Sequence, residues 1–212
     1  MIKLKELIEL KKLVYSEEVK LKHQNKIDME VSVFREDLQL PYSLGFTLKP
    51  DNDSDKTMRE LKYLGSLKTN KSLVEDGDDI KENFIPLIEK NNIPISKSFV
   101  KKVIKESAKF IMKLKYHYNR PRPYQVAEVY GMNLNGTQLD SMKTPSYPSG
   151  HAVQGYLVAE VLSHVDPRNS REYRSVGERI AHSRIIGKAH YPSDKHFGKK
   201  VANVLFQGLI NK

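Results

Sequence analysis

The chain of 212 residues has no cysteine and no tryptophan. Without thiols, disulfide scaffolds, zinc ribbons, iron–sulfur clusters and thiol catalysis are excluded, whereas the redox compartment stays unread. No stretch approaches the ~18 consecutive apolar residues of a membrane span. The opening text MIKLKELIELKKLVYSEEVK places Lys or Glu every two or three residues, so it lacks the apolar core of a signal peptide. The expectation is a soluble protein, cytoplasmic as written and periplasmic if a precursor was trimmed before Met1. Seven histidines include no HExxH or similar pair, so no metal site is expected. Apolar residues at 39%, with 11 Gly and 10 Pro, are too rich and too ordinary for a disordered tail.

What is present is positive charge, a formal net of +10. Residues 1–30 carry 7 basic and 6 acidic side chains, residues 31–100 carry 10 and 12, and residues 101–212 carry 19 and 8. The excess therefore belongs to the second half. Such asymmetry suits nucleic acid, a membrane surface or an anionic small substrate, and does not choose among them.

Apolar spacing reads as helix throughout, and the predicted class is all-α, one helical bundle. A first amphipathic helix is expected over 2–22, with Ile2, Leu7, Leu10, Leu13 and Val14 near helical spacing. A loop follows around 40–55. Ser54 is placed to cap a helix over 55–68, and the acidic run Glu75–Asp79 to precede one near 79–91. Ser96 is the expected cap of the longest periodic stretch, whose face runs Phe99, Val103, Ile104, Ala108, Ile111, Met112 and Lys115. The prolines of NRPRPY end it, and a loop is predicted over 124–148. Ser149 opens an apolar helix that stops before Asp166. Further helices are expected over 169–187 and from Pro192 onward.

Three segments in the basic half carry the chemistry: Lys115-YHYNRP-Arg122-Pro123, Pro148-Ser149-Gly150-His151, and Ser183-Arg184-IIGKA-His190-YPS-Asp194. Each alone has a plain structural explanation, such as complementing a helix dipole, capping a helix or decorating a surface. Together they supply what a phosphate needs. Lys115 and two arginines neutralise a dianion, and guanidinium matches phosphate oxygens bidentately. Ser149, Gly150 and His151 stand where a loop enters a helix, so backbone N–H groups point at an anion, and Gly150 allows close approach. His151 and His190 provide two imidazoles, for nucleophile and acid. Asp194, four residues after His190, is placed to orient it.

The three segments resemble the signature K-x6-RP, PSGH, SR-x5-H-x3-D of the type 2 phosphatidic acid phosphatase superfamily, which also includes vanadium-dependent haloperoxidases. The text SYPSGHAVQGYLVAEVL and RSVGERIAHSRIIGKAHYPSD is most similar to the bacterial class A nonspecific acid phosphatases. Lys113 with Arg120 also fits K-x6-RP, but the apolar face continues into Lys115, and the family's R-x-R-P-[FY] falls on Arg120 to Tyr124. The resemblance is firm over 96–210, weaker over 49–95 and absent over 1–48. It implies a catalytic domain at 49–212, with 1–48 as a helical extension packing on that core or on a partner subunit.

The resemblance also implies a metal-independent phosphatase of small phosphorylated substrates without a cofactor. His190 would be the nucleophile forming a phosphohistidine, Asp194 its orienter and His151 the acid and base. Lys115, Arg122, Arg184, Ser149 and Gly150 would hold the phosphate oxygens. Vanadate is then expected to inhibit; in the alternative reading, a haloperoxidase, it is the cofactor held by the same pocket. A second alternative is a basic nucleic-acid-binding module, although no nucleic-acid motif stands out and no such partner is expected. His117, His164, His182 and His196 are given no site role, and a homo-oligomer is left open. The leaving group is expected to meet the loops at 40–55 and 124–147.

Overall fold

The computed structural model describes residues 4–38, 40 and 48–211. Among them there are ten α-helices, two short 3-10 turns and no strand. The helices are α1 (Leu4–Lys12), α2 (Leu21–Asp28), α3 (Asp55–Ser66), α4 (Lys71–Asp76), α5 (Ile80–Lys90), α6 (Lys97–Tyr118), α7 (Pro123–Val129), α8 (Gly150–Val165), α9 (Ser170–Ile186) and α10 (Pro192–Ile210). The fold is all-α.

Several boundaries follow from single side chains. The hydroxyls of Ser54, Ser96 and Ser149 accept from the backbone N–H of Thr57, Phe99 and Ala152, so each satisfies an amide that the first helical turn leaves open. The Asp79 carboxylate does the same for Lys81 and Glu82 at α5. Helix α6 ends where Asn119 turns left-handed, at φ 43°. Its N–H still reaches the Lys115 carbonyl at 2.8 Å, closing the last turn before Arg120.

Helix α8 is the hub. It is almost wholly apolar, and buried residues occur all around it, as befits a helix covered on every side. Phe110, Leu114, Val153, Leu157, Phe197, Val201 and Leu205 form one core between α6, α8 and α10. Phe84, Val158, Leu162, Tyr173 and Ile180 form a second between α5, α8 and α9. A third joins Leu10, Leu61, Leu64, Val126, Ile185 and Tyr191 from α1, α3, α7, α9 and the start of α10. Helices α8 and α9 cross at Gly155 and Gly177: a Cβ on Gly177 would stand 2.8 Å from the Gly155 carbonyl oxygen. Only glycine permits that approach.

Three expectations are corrected. The first helix does not run over 2–22. It stops at Lys12 and a separate α2 begins at Leu21, because residues 15 and 16 bond to the end of α6 instead. Tyr15 N–H donates to the Asn119 carbonyl at 3.1 Å, and Asn119 Nδ2 donates to the Ser16 carbonyl at 2.7 Å. Glu75 and Asp76 do not merely precede a helix but lie inside the unpredicted α4, capped by Asn70. The expected loop over 124–148 contains α7 and a 3-10 turn at Asp140–Lys143. Pro123 sets the φ of the first turn of α7, and the Gln125 side-chain oxygen accepts from Arg122 N–H at 2.8 Å. Ile2 and residues 41–47 of the expected loop lie outside the described residues.

Candidate active site

The C-terminal end of α6, the loop after it, the start of α8 and the turn between α9 and α10 meet at one cavity of about 340 Å³. Lys115, Gly150, His151 and His190 line it, with Ser141 and Thr144 from the loop before α8. Arg122, Ser149, Arg184 and Asp194 stand behind them, fully buried. Lys113 is exposed, whereas Lys115 points inward, as the apolar face of α6 dictates.

His190 is fixed at both nitrogens. Arg122 donates from its NH1 to His190 Nε2 at 2.9 Å, and His190 Nδ1 lies 3.1 Å from Asp194 Oδ2. A guanidinium has donors only, so Nε2 must accept. Nδ1 therefore carries the hydrogen and donates to Asp194, leaving a lone pair on Nε2. Burial, then the positive charge of Arg122, holds the His190 pKa well below its ordinary value. The imidazole is neutral.

Asp194 is itself held from several sides. Arg120 donates to its Oδ1 at 2.6 Å, while the Ser146 hydroxyl and Tyr191 N–H donate to Oδ2 at 2.5 and 2.9 Å. Burial acts to raise its pKa, but the charge of Arg120 and these donors outweigh it and hold it at about 2. Arg120 also lies 3.8 Å over the Tyr191 ring and donates to Ser193 Oγ at 2.7 Å. Glu60, 3.4 Å from Arg120, closes this network.

Lys115 and Arg122 differ from the buried Lys109, Arg120 and Arg184, each of which has a carboxylate partner. The described partner of Lys115 is the Pro145 carbonyl. Arg122 donates to the carbonyls of Ser141, Thr144 and Ala189, to Thr144 Oγ1 and to His190. Neither has a carboxylate at salt-bridge distance among the described residues. Burial lowers both pKa values, that of Arg122 to about 10. Two desolvated cations without a counter-ion are costly, and an anion in the cavity relieves that cost.

Asp78 joins Arg184 to His151. Arg184 donates to its Oδ1 at 2.7 Å, and the same oxygen is 3.4 Å from His151 Nε2. His151 Nε2 is also 3.0 Å from the Asp78 carbonyl. Burial lowers the His151 pKa and Arg184 adds to this, while the bonds to Asp78 oppose it. Arg184 does not line the cavity; its other partners are Ser183 Oγ and the Val74 carbonyl. The Ser149 hydroxyl is spent on the helix cap, and its N–H donates to the Asp194 carbonyl at 3.1 Å. A Cβ on Gly150 would meet only Ile111 and Lys115 side chains at ordinary contact, so its lack of one leaves cavity space rather than relieving a clash.

The model of the PAP2 superfamily matches residues 102–207, half of the chain, and that span holds every site residue named from the sequence. The chain belongs to the PAP2 superfamily. Two curated relatives of this PAP2 chain are non-specific acid phosphatases. That of Salmonella typhimurium is 42% identical over 67 residues, which are 32% of this chain and 27% of the relative. That of Providencia stuartii is 35% identical over 89 residues, 42% of this chain and 36% of the relative. The chain thus aligns with only about a quarter to a third of each relative's length. Among solved structures, a transmembrane PAP2-type phosphatidylglycerolphosphate phosphatase from Bacillus subtilis has a TM-score of 0.51 at 16% identity, covering 80% of this chain and 90% of its own. That likeness is one of fold. In the PAP2 chain described here, no helix among the described residues is long and apolar enough to cross a membrane.

Sequence reasoning missed three parts of this PAP2 site. Asp78 reaches Arg184 across 106 residues of sequence, so no local spacing announces it. The partner of Arg120 lies 74 residues on, so the sequence does not name it; the structure pairs it with Asp194. Lys22, His23 and Lys26 of α2 also line the cavity. No described residue of the 40–55 stretch lines it, whereas Asp140, Ser141, Lys143 and Thr144 of the 124–147 stretch do. His117, His164, His182 and His196 are not part of the lining. Among the described residues no group of three His, Asp or Glu side chains is placed to hold a metal ion.

Proposed function

We propose that this chain is a phosphatase of small phosphate monoesters, working through a covalent phosphohistidine and without a metal. The observation that carries the reading is the pair of buried cations, Lys115 and Arg122, left without a carboxylate beside a neutral histidine whose Nε2 lone pair faces them. Phosphoryl transfer is mainly positioning and charge stabilisation, which this arrangement supports.

In the first step the substrate's phosphate oxygens take up the charge of Lys115 and Arg122, with the Gly150 amide at the start of α8 as a further donor. Arg122 turns its hydrogen bond from His190 Nε2 to a phosphate oxygen, which frees the Nε2 lone pair to attack phosphorus as the bond to the leaving oxygen breaks. Asp194 stabilises the positive charge that develops on the ring, as a carboxylate at Nδ1 does in a catalytic triad. His151, protonated, gives its proton to the leaving oxygen. In the second step neutral His151 takes a proton from water, the oxygen of that water attacks the phosphohistidine, and phosphate leaves with His190 restored. Asp78 orients His151 in both steps and keeps Arg184 beside it.

The test is turnover of a chromogenic phosphate ester in excess chelator. Activity is expected to persist there, to vanish in His190→Ala and to be inhibited by vanadate, which mimics pentacoordinate phosphorus. Loss of turnover on chelation, or full activity in His190→Ala, would overturn the reading. Peroxide-dependent bromination on addition of vanadate would replace it by haloperoxidase chemistry.

A further inference from the structure

Part of the cavity wall is built by α2, in the part of the chain that carries none of the motif residues. Lys22, His23 and Lys26 all line the cavity. Their spacing of three and four puts them on one helical face, turned toward the site. Two lysines four apart on a helix repel each other, and a neighbouring acid usually offsets this. Here the relief is slight: among the described residues neither lysine has a carboxylate at salt-bridge distance, and Lys22 acts on Asp140 only as a charge, behind Lys143. The acid of α2, Asp28, accepts from Gln24 at 2.9 and 3.0 Å instead. The acid in the cavity lining, Asp140, is held by Lys143 at 2.5 Å. Burial, then Lys22 and Lys26, lower the pKa of His23, so the positive field of the two lysines is felt inside the wall.

Helix α2 is also fixed in place. Before it, the Tyr15 hydroxyl donates to the Met142 carbonyl at 2.9 Å. After it, Lys109 Nζ donates to the Met29 carbonyl at 2.7 Å, and the buried Glu106 carboxylate accepts from Ser32 and Val33 N–H at 2.7 and 2.8 Å. His23 Nδ1 lies 2.5 Å from the Tyr116 hydroxyl. A cationic face is therefore held rigidly over a cavity whose inner end already binds one phosphate in the reading above.

We propose that the Lys22–Lys26 face of α2 binds a second phosphoryl group on the substrate, so that the preferred substrates are small bisphosphorylated compounds. This rests on the phosphatase reading. Two adjacent ammonium groups suit a dianion better than they suit a single carboxylate, and they line the same cavity that would hold the rest of the substrate.

The experiment compares a hexose monophosphate with the bisphosphate of the same sugar, in the full chain and in Lys22→Gln/Lys26→Gln. The bisphosphate is expected to have a kcat/KM about tenfold higher, through KM and beyond the twofold that two reactive ends give. In the double variant that preference is expected to fall by about tenfold, the size appropriate to two partly exposed charge contacts. Lys62→Gln/Lys68→Gln removes the same charge from and just beyond α3 and should keep the preference. No preference in the parent chain, or equal loss in both double variants, overturns this inference alone. Absence of turnover on both substrates overturns the phosphatase reading itself.

Discussion

The histidine pair sets a pH dependence with a definite sign. In the proposed mechanism His190 must be neutral to attack, and its pKa is held well below the ordinary imidazole value by burial and Arg122. Its lone pair thus survives as pH falls through the range where a free histidine would protonate. The same mechanism needs His151 protonated to release the leaving group, and burial lowers its pKa too, with Asp78 opposing. The rate of the unliganded enzyme therefore falls as pH rises through that lowered value, and kcat/KM should peak on the acidic side of about 6.5. Asp78→Asn removes the carboxylate that favours the His151 proton, so the alkaline limb should move to lower pH while the acid limb stays. A pH profile of kcat/KM for a chromogenic ester measures both limbs; an unmoved alkaline limb refutes the role given to Asp78. Arg120 acts one residue further back. Arg120→Met leaves Asp194 buried without its cation, and breaking such a pair typically costs about 3–5 kcal/mol of stability. Its Asp194 pKa should rise from about 2, and the acid limb should steepen toward unfolding, as urea titrations at several pH values would show.

At the scale of elements, the legible parts were those written in local spacing. Ser54, Ser96 and Ser149 announce their helices because a cap acts within three residues. The face ending in Lys115 fixes which lysine turns inward because a helix repeats every 3.6 residues. The break between α1 and α2 was not legible, since it depends on Asn119, 103 residues from Ser16. Helix α7 was hidden because its Pro and the following Gly and Asn read as loop, while its stability comes from burying Val126 and Ala127 against α1 and α3. The approach of α10 to the start of α8 is likewise tertiary, and it rests on Gly198. A Cβ there would stand 2.9 Å from Ala152 Cβ and 3.1 Å from the Ser149 carbonyl oxygen, so a helix would have to shift. That contact sets Ser149 and Gly150 against His190 and Asp194. Gly198→Ala should cost about 1–3 kcal/mol as overpacking does, and should also lower kcat. Gly208→Ala is the comparison: its Cβ would meet the Leu38 side chain at 3.0 Å, far along α10 from the site. It should affect stability with kcat retained, and equal kcat losses in both would remove the special role of Gly198.

Over the whole molecule, the charge excess now divides into parts with different tasks. Residues 101–212 carry 19 basic and 8 acidic side chains, yet only Lys115, Arg122 and Arg184 of these belong to the site named from the sequence. Lys109 is structural, tying residues 29–36 to α6 through Met29 and Glu36. Arg174 and Lys195 pair with Glu160 and Glu178 at the surface. Arg120 is buried against Asp194, and Lys188 is buried as well. The other described cations of this half are exposed and act through the field they sum to at the cavity mouth, reinforced by Lys22 and Lys26. Such a field raises encounter rates for anions and is screened over a Debye length of about 10 Å at 0.1 M salt. The buried pair Lys115 and Arg122 is screened far less. Raising ionic strength from about 0.02 to 0.5 M with an inert salt should therefore lower kcat/KM through KM, leaving kcat nearly constant. The decline should be steeper for a bisphosphate than for a monophosphate, because the steering energy scales with substrate charge. A kcat that falls as fast as kcat/KM would mean that salt reaches the buried cations, and the division between a surface field and a sheltered pair would not hold.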